Sequence, residues 1–173
     1  MTDRLQTLTE ALLDAAKRAG AEAADALAVE GTSLSIDIRR GALEQAERSE
    51  AIEMGLRVLI GGRQACVSVS DTSARTIEDV AERAVAMARE APDDPYAGLA
   101  DPSQIARDWD LAAFELCDPA AEPSARALEE DARAAEAGAM ALAGIRQVEA
   151  SAGYGLRRVF LAASNGFAGG YAR

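Results

Sequence analysis

Residues 51–71, AIEMGLRVLIGGRQACVSVSD, separate into an apolar and a polar set when the chain is folded back about Gly61-Gly62. Folding there sets Val58 against Ala65, Leu56 against Val67 and Met54 against Val69. The other face then pairs Leu59 with Gln64, Arg57 with Cys66, Gly55 with Ser68 and Glu53 with Ser70, a mostly polar set. A slip of one residue would mix the two sets, so the pattern predicts a β-hairpin in one register. Glycine suits its tight primed turn because it tolerates positive φ.

The same two-residue period recurs upstream. Leu34, Ile36 and Ile38 alternate with Ser35, Asp37 and Arg39, which predicts a half-buried strand. Residues 25–30 form a separate short strand carrying Leu27 and Val29. Arg40-Gly41 turns the chain into residues 42–48, a more polar strand expected near a sheet edge. Up to five strands therefore follow one another through short turns, an antiparallel meander and not a doubly wound sheet.

Elsewhere the period lengthens to three or four. Leu5, Leu8, Leu12, Ala15 and Ala19 predict a helix over 3–19, with Thr2 as its cap and Gly20 at its end. Ile77, Val80, Ala81, Ala84 and Ala88 mark a second helix, capped by Ser73 or Thr76 and stopped by Pro92. Residues 92–123 read as a long surface excursion that Trp109, Leu111 and Phe114 tack to the core. A third, alanine-rich and acidic helix spans 124–143. Segments 145–152 and 156–163 suggest another hairpin about Tyr154-Gly155, and Ser164-Asn165-Gly166 then turns into a strand opening at Phe167.

The fold class is α+β: an antiparallel, meander-rich sheet with about three helices packed on it. Residues 1–163 form one domain. Residues 164–173 read as a turn and the start of another strand, and natural chains seldom stop as a strand is entered. The expectation is a fragment, a processed form or a deliberately shortened form of a longer protein.

At 173 residues the chain is long enough to bury a real core, and with 4% aromatic residues that core is built from Ala, Leu, Val and Ile. The net charge of −11 opposes direct nucleic-acid binding, since such affinity comes largely from Lys and Arg displacing counterions. The densest basic spots, Arg39-Arg40 and Arg157-Arg158, are only pairs. The amphipathic, acid-bearing N-terminus is neither a signal peptide nor a membrane span. Two cysteines without CxxC spacing argue against a disulfide framework, and a cytoplasmic location is expected.

Histidine is absent, which removes the commonest general base and the commonest transition-metal ligand. Cys66 could be a reactive thiol beside Arg57, but no base accompanies it, so a small half-buried residue is the plainer reading. Cys117 reads as a loop or packing residue. The glycines Gly166, Gly169 and Gly170 lack the Lys-Ser/Thr of a phosphate loop and the strand-helix context of a dinucleotide site. Acids at Asp93-Asp94, Asp108/Asp110 and Glu129-Glu130-Asp131 lie in a loop or on a helix face, where solvated charge is the default. Tyr154 and Tyr171 have no visible partner. The helix over 124–143 fits a partner surface and intramolecular packing equally well. From the residues, no catalytic, cofactor-binding or metal-ligating position is assigned.

In order along the chain, GLRVLIGGRQACVSVSDTSARTIEDVAERAVAMAREAPDDPYAGLADP and the late SNGFAGGY resemble the N-terminal domain of the TldD/PmbA family, closest to its PmbA (TldE) branch, historically called modulators of DNA gyrase. The marks are the G-x-R-V strand, the tight turn with G-R-Q, the S-D before a helix and the D-P-Y-A-G-L-A-D-P loop; the early strand–R-R-G–strand hairpin fits too. The resemblance implies a protein of roughly two to three times this length, in which residues 164–173 begin the connection to a missing C-terminal β-rich domain. It further implies a heterodimeric zinc metalloprotease complex of TldD and TldE subunits acting on unfolded proteins or peptides, with roles in microcin peptide maturation and antitoxin degradation. In that family the zinc ligands sit in an H-E-x-x-x-H helix of the TldD C-terminal region and are missing from TldE. This chain is accordingly expected to be a non-catalytic domain without a cofactor of its own, zinc belonging to a TldD-like partner. Heterodimerisation with that subunit or self-association, and contact with an unfolded peptide at the 42–48 edge, follow as expectations, without a nucleic-acid or membrane partner. The alternative is a stand-alone regulatory module that binds gyrase or another protein and has no protease role.

Overall fold

The computed structural model describes residues 2–173, with side chains from Arg4 onward. Its elements are α1 (Thr2–Ala19), β1 (Ala23–Arg39), β2 (Ala42–Ile60), β3 (Arg63–Val69), α2 (Ala74–Glu90), α3 (Ala125–Met140), β4 (Glu149–Ala163) and β5 (Ala168–Ala172). The strands form one five-stranded antiparallel sheet in the order β3-β2-β1-β4-β5, with the three helices packed on it, the predicted α+β class. The chain divides into two compact units, Met1–Glu30 with Ala51–Leu116 and Arg157–Arg173, and Gly31–Glu50 with Cys117–Leu156.

In the first unit the β2–β3 hairpin pairs Met54 with Val69, Leu56 with Val67 and Val58 with Ala65, the register read from its polarity. Gly61 has φ +58°, the left-handed geometry that a two-residue turn needs at its first position. Gly62 is required for a different reason. A Cβ there would lie 2.5 Å from the Asp93 carboxylate, where the Asp94 N–H donates to the Gly62 carbonyl.

Met54, Leu56 and Val58 face α1 and α2 and are at most 1% exposed. Across from them lie Leu12, Ala15 and Ala16 of α1, and Ile77, Val80, Ala81, Ala84 and Ala88 of α2. Ala24 and Ala26 of β1 complete this core, small residues that let a helix approach the sheet closely. A second cluster joins Leu5, Ala28, Phe160 and Ala162. Thr9, fully buried in α1, satisfies its hydroxyl by donating back to the Gln6 carbonyl at 2.8 Å. Gly20, at φ +98°, ends α1 as expected. The proposed Thr2 cap lies outside the described side chains.

Ser73 caps α2, its hydroxyl accepting from the Thr76 N–H. Asp71 stands behind that cap, accepting from the Thr76 hydroxyl and from the Ser73 N–H and hydroxyl. These bonds, first that from Thr76, hold its carboxyl below the usual aspartate range.

In the second unit α3 lays Leu128 and Ala132 on Leu34, Ile36 and Ile38 of β1, with Ala152 and Tyr154 beside them. Arg40 (φ +54°) and Gly41 (φ +69°) form the β1–β2 turn. That turn is held from α3: Glu136, 6% exposed, accepts the Gly41 N–H at 2.7 Å, and Arg133 donates to the Gly41 carbonyl.

Four expectations change. The strands predicted over 25–30 and 34–39 are one strand, β1, with even-numbered residues buried from Ala24 to Ile38 except in the polar stretch between Ala28 and Leu34. Leu27 and Val29 therefore turn to the opposite face, Leu27 being 38% exposed. The strand predicted over 42–48 is the exposed start of the 19-residue β2. No hairpin forms about Tyr154-Gly155; both lie inside β4. A nearby glycine, Gly153, sits where a Cβ would come 3.3 Å from the Leu34 carbonyl, so it serves a close approach of strands and not a turn. The helix expected over 124–143 ends at Met140. Residues 168–172 pair with β4 as β5.

Two outcomes test these contacts. Glu136→Ala removes the buried acceptor of the Gly41 N–H and is expected to cost about 1–3 kcal/mol in chemical denaturation. Glu130→Ala, on an exposed ion pair with Arg126, is expected to cost far less. Because the folded-state pKa of Asp71 is depressed, its stabilisation of α2 is complete above the ordinary aspartate pKa and is lost as pH falls through the lower folded value. A carboxyl NMR titration should place the Asp71 midpoint below that of an exposed aspartate, and Asp71→Asn should erase that part of the acid dependence.

Candidate functional site

Alternation gives the first unit's sheet a second face, away from α1 and α2. Leu27 of β1 and Val159 and Leu161 of β4 point there, with Tyr171 of β5 opposite Val159 and Gly169 opposite Leu161. Above them the excursion contributes Ala106, Trp109, Leu111 and Phe114, the last within a short 3-10 turn, Ala112–Phe114. Together with Phe167 and Gly170 these residues enclose an open hollow of about 390 Å³ with almost no polar lining.

Local chemistry explains how the excursion reaches this position. Asp101 caps a 3-10 turn, Pro102–Gln104, and accepts from the Ser103 N–H and hydroxyl. Bonds from Ser103, the side chain first, hold the Asp101 carboxyl below its usual range. Asn165, in the β4–β5 turn, donates its side-chain amide to the Ala100 carbonyl at 2.9 Å. The Trp109 ring then lies 5.8 Å from that of Phe167, tilted by 31°. It also covers Gly169, where a Cβ would come 2.5 Å from the indole. Trp109, Leu111 and Phe114 thus do tack the excursion to the sheet, but as one wall of a hollow and not as core. Trp109 and Leu111 remain 38% exposed and Phe114 64%.

The hollow offers apolar surface and one phenol, Tyr171. It can receive an apolar group; it presents no nucleophile, acid or base beyond that phenol.

The other candidates read from the sequence do not converge on it. Cys66 is exposed, and the Arg57 guanidinium opposite it is engaged by Asp25, with the Nε bond at 2.8 Å. That hydrogen bond, ahead of any effect of the thiol, raises the Arg57 pKa above its ordinary value. Cys117 is also exposed and makes only a 3.7 Å contact to the Asp118 carbonyl. Asp94 accepts the Tyr96 N–H and Asp110 accepts the Ala112 N–H, both as local turn caps. Glu129 and Glu130 pair with Arg133 and Arg126 along α3. Gly166 makes the β4–β5 turn at φ +94°, while Gly169 and Gly170 lie in β5 and pair with β4, leaving no phosphate cradle. Tyr154 packs in the second unit.

Among the described residues, no three Cys, Asp or Glu side chains come close enough to hold a metal ion. The residues present do not fit the zinc implied for a TldD-like subunit. No helix among them is long and apolar enough to cross a membrane.

Sequence reasoning missed the hollow and the Glu136–Gly41 contact. The hollow left a partial signal in the odd-numbered apolar residues Leu27, Val29, Val159 and Leu161, which have no helix to cover them. Nothing in the sequence links Glu136 to a turn 95 residues away.

The chain is similar to known proteins, in sequence over part of its length and in fold over nearly all of it. Residues 24–88 match the family model described as PmbA/TldA metallopeptidase domain 1. A protein from Bacteroides thetaiotaomicron named as a modulator of DNA gyrase has a similar structure, with TM-score 0.83 and 22% identity over 98% of this chain and 39% of its own. TldE from Thermococcus kodakarensis aligns with TM-score 0.76 and 13% identity, covering 95% of this chain and 36% of its own. A second protein named as a gyrase modulator, from Thermotoga maritima, gives TM-score 0.66 at 13% identity, with 96% and 36% covered. The chain thus spans less than two fifths of each of these solved structures. No curated protein sequence matches it significantly.

The single tryptophan makes the hollow's wall directly observable. Gly169→Ala should push the indole off β5, shifting its emission to the red and raising its quenching by acrylamide. Gly155→Ala, where an added Cβ meets nothing within 4 Å, should leave both unchanged.

Proposed function

We infer that this chain, which carries a PmbA/TldE-type N-terminal domain, is a non-catalytic part of a subunit in a TldD/TldE-type zinc metalloprotease complex. Its role is assembly and enclosure: a shell domain that restricts access to a chamber, so that only unfolded or peptide substrates are cut. The observation that carries this reading is the match of residues 24–88 to domain 1 of a metallopeptidase family, at the β1–β3 meander and α2. Fold likeness to TldE along 95% of the chain supports it. So does the chain's donor set, which lacks histidine altogether and offers no convergent trio of acids and thiols among the described residues.

A second reading draws on the names of two of the structural relatives, modulators of DNA gyrase. In it the domain is a stand-alone protein-binding module. The charge of −11 weighs against direct contact with DNA in either case. Fold likeness alone does not choose between these roles.

Purification separates them. The full-length protein should co-elute with a TldD-like subunit, and peptide cleavage should require both subunits and disappear on chelation. Stable capture of gyrase without that partner, and no effect on proteolysis, would favour the regulatory module. Robust peptide turnover by the isolated 173 residues would contradict both.

A further inference from the structure

We propose that the free edge of β2, residues 42–50, is a self-pairing surface through which two copies of this chain join their sheets antiparallel about Ala46. The proposal stands on this edge alone and does not depend on the protease-related reading.

Within the second unit, β2 is the outermost strand beside β1. The neighbour on its other side, β3, pairs with β2 only up to Met54. Residues 42–50 are exposed throughout, and among the described residues no main-chain hydrogen bond joins them to a loop or turn. The free edge is nine residues long, about 30 Å at the usual rise of an extended strand. It contains no proline, so none of the alternate N–H groups that face outward is missing. Such a row of unpaired donors and acceptors is a template for another strand.

The charges select which strand. Directly opposed residues in an antiparallel ladder point to the same face, so two identical strands related by a two-fold axis must cross with one residue facing its own copy. Crossing at Glu47 sets Glu47 against Glu47 and Glu44 against Glu50, two repulsive arrangements. Crossing at Arg48 opposes two guanidiniums. Crossing at Gln45 leaves each charge opposite a neutral residue. Only at Ala46 does each Glu44 meet an Arg48 of the other copy, twice by symmetry, with Gln45 facing Glu47 as a donor to a carboxylate. Within the chain Glu44 already pairs with Arg39, and Arg48 with Glu50 and Glu122. All of these are surface pairs, individually weak and able to exchange for partners across the join. Among crossings at residues 45–48, the charges thus favour the one at Ala46.

Sedimentation of the wild-type chain should show a monomer–dimer equilibrium. Glu44→Arg or Arg48→Glu alone should weaken the dimer about tenfold or more, since each variant creates two like-charge oppositions. The double variant Glu44→Arg/Arg48→Glu should restore it, an outcome that general damage to folding would not produce. In a Cys66→Ser/Cys117→Ser background, Ala46→Cys should form an intermolecular disulfide readily, because facing residues lie within bridging distance. Leu43→Cys, opposite residue 49, should not. A wild-type chain that stays monomeric at all accessible concentrations overturns the proposal. So does failure of the double variant to recover the dimer, or binding of an extended peptide at this edge without self-association.

Discussion

A two-residue turn can join long strands only if its backbone enters the left-handed region, and the strand registers of this protein depend on two such turns. Arg40-Gly41 and Gly61-Gly62 meet the requirement differently. At the first, both residues take positive φ, and α3 grips the turn through Glu136 and Arg133. At the second, Gly61 alone does so, and Gly62 clears space for Asp93 and Asp94. With the turns set, strand alternation decides which side chains meet a helix.

From that alternation come the two faces of the first unit's sheet. One carries small and branched aliphatic residues that α1 and α2 cover closely. The other carries Leu27, Val159, Leu161 and Tyr171, covered only in part by an irregular segment. Trp109 makes this partial cover specific, because its indole needs the bare backbone of Gly169 beneath it. The result is an apolar hollow held open by an aromatic wall instead of a filled core.

Of the acids that suggest catalysis along the chain, Asp94 and Asp110 cap turns and Glu129 and Glu130 pair with neighbouring arginines. Catalysis requires unspent groups at a common point. The described residues offer an apolar hollow and a free strand edge.

Polarity along the chain determined, by itself, the β2–β3 register, the cap of α2, the core faces of α1 and α2, and the α+β class. Each of these rests on contacts close in sequence or on a period that a single element imposes. Tertiary structure alone decided that β1 runs unbroken through residues 31–33 and β4 through Tyr154-Gly155. A strand's length is set by its neighbours' ladders, which local turn residues do not record. It alone also brought the excursion over the sheet's second face and Glu136 under the Gly41 turn. Those contacts join residues many positions apart, and no local preference records a partner that distant.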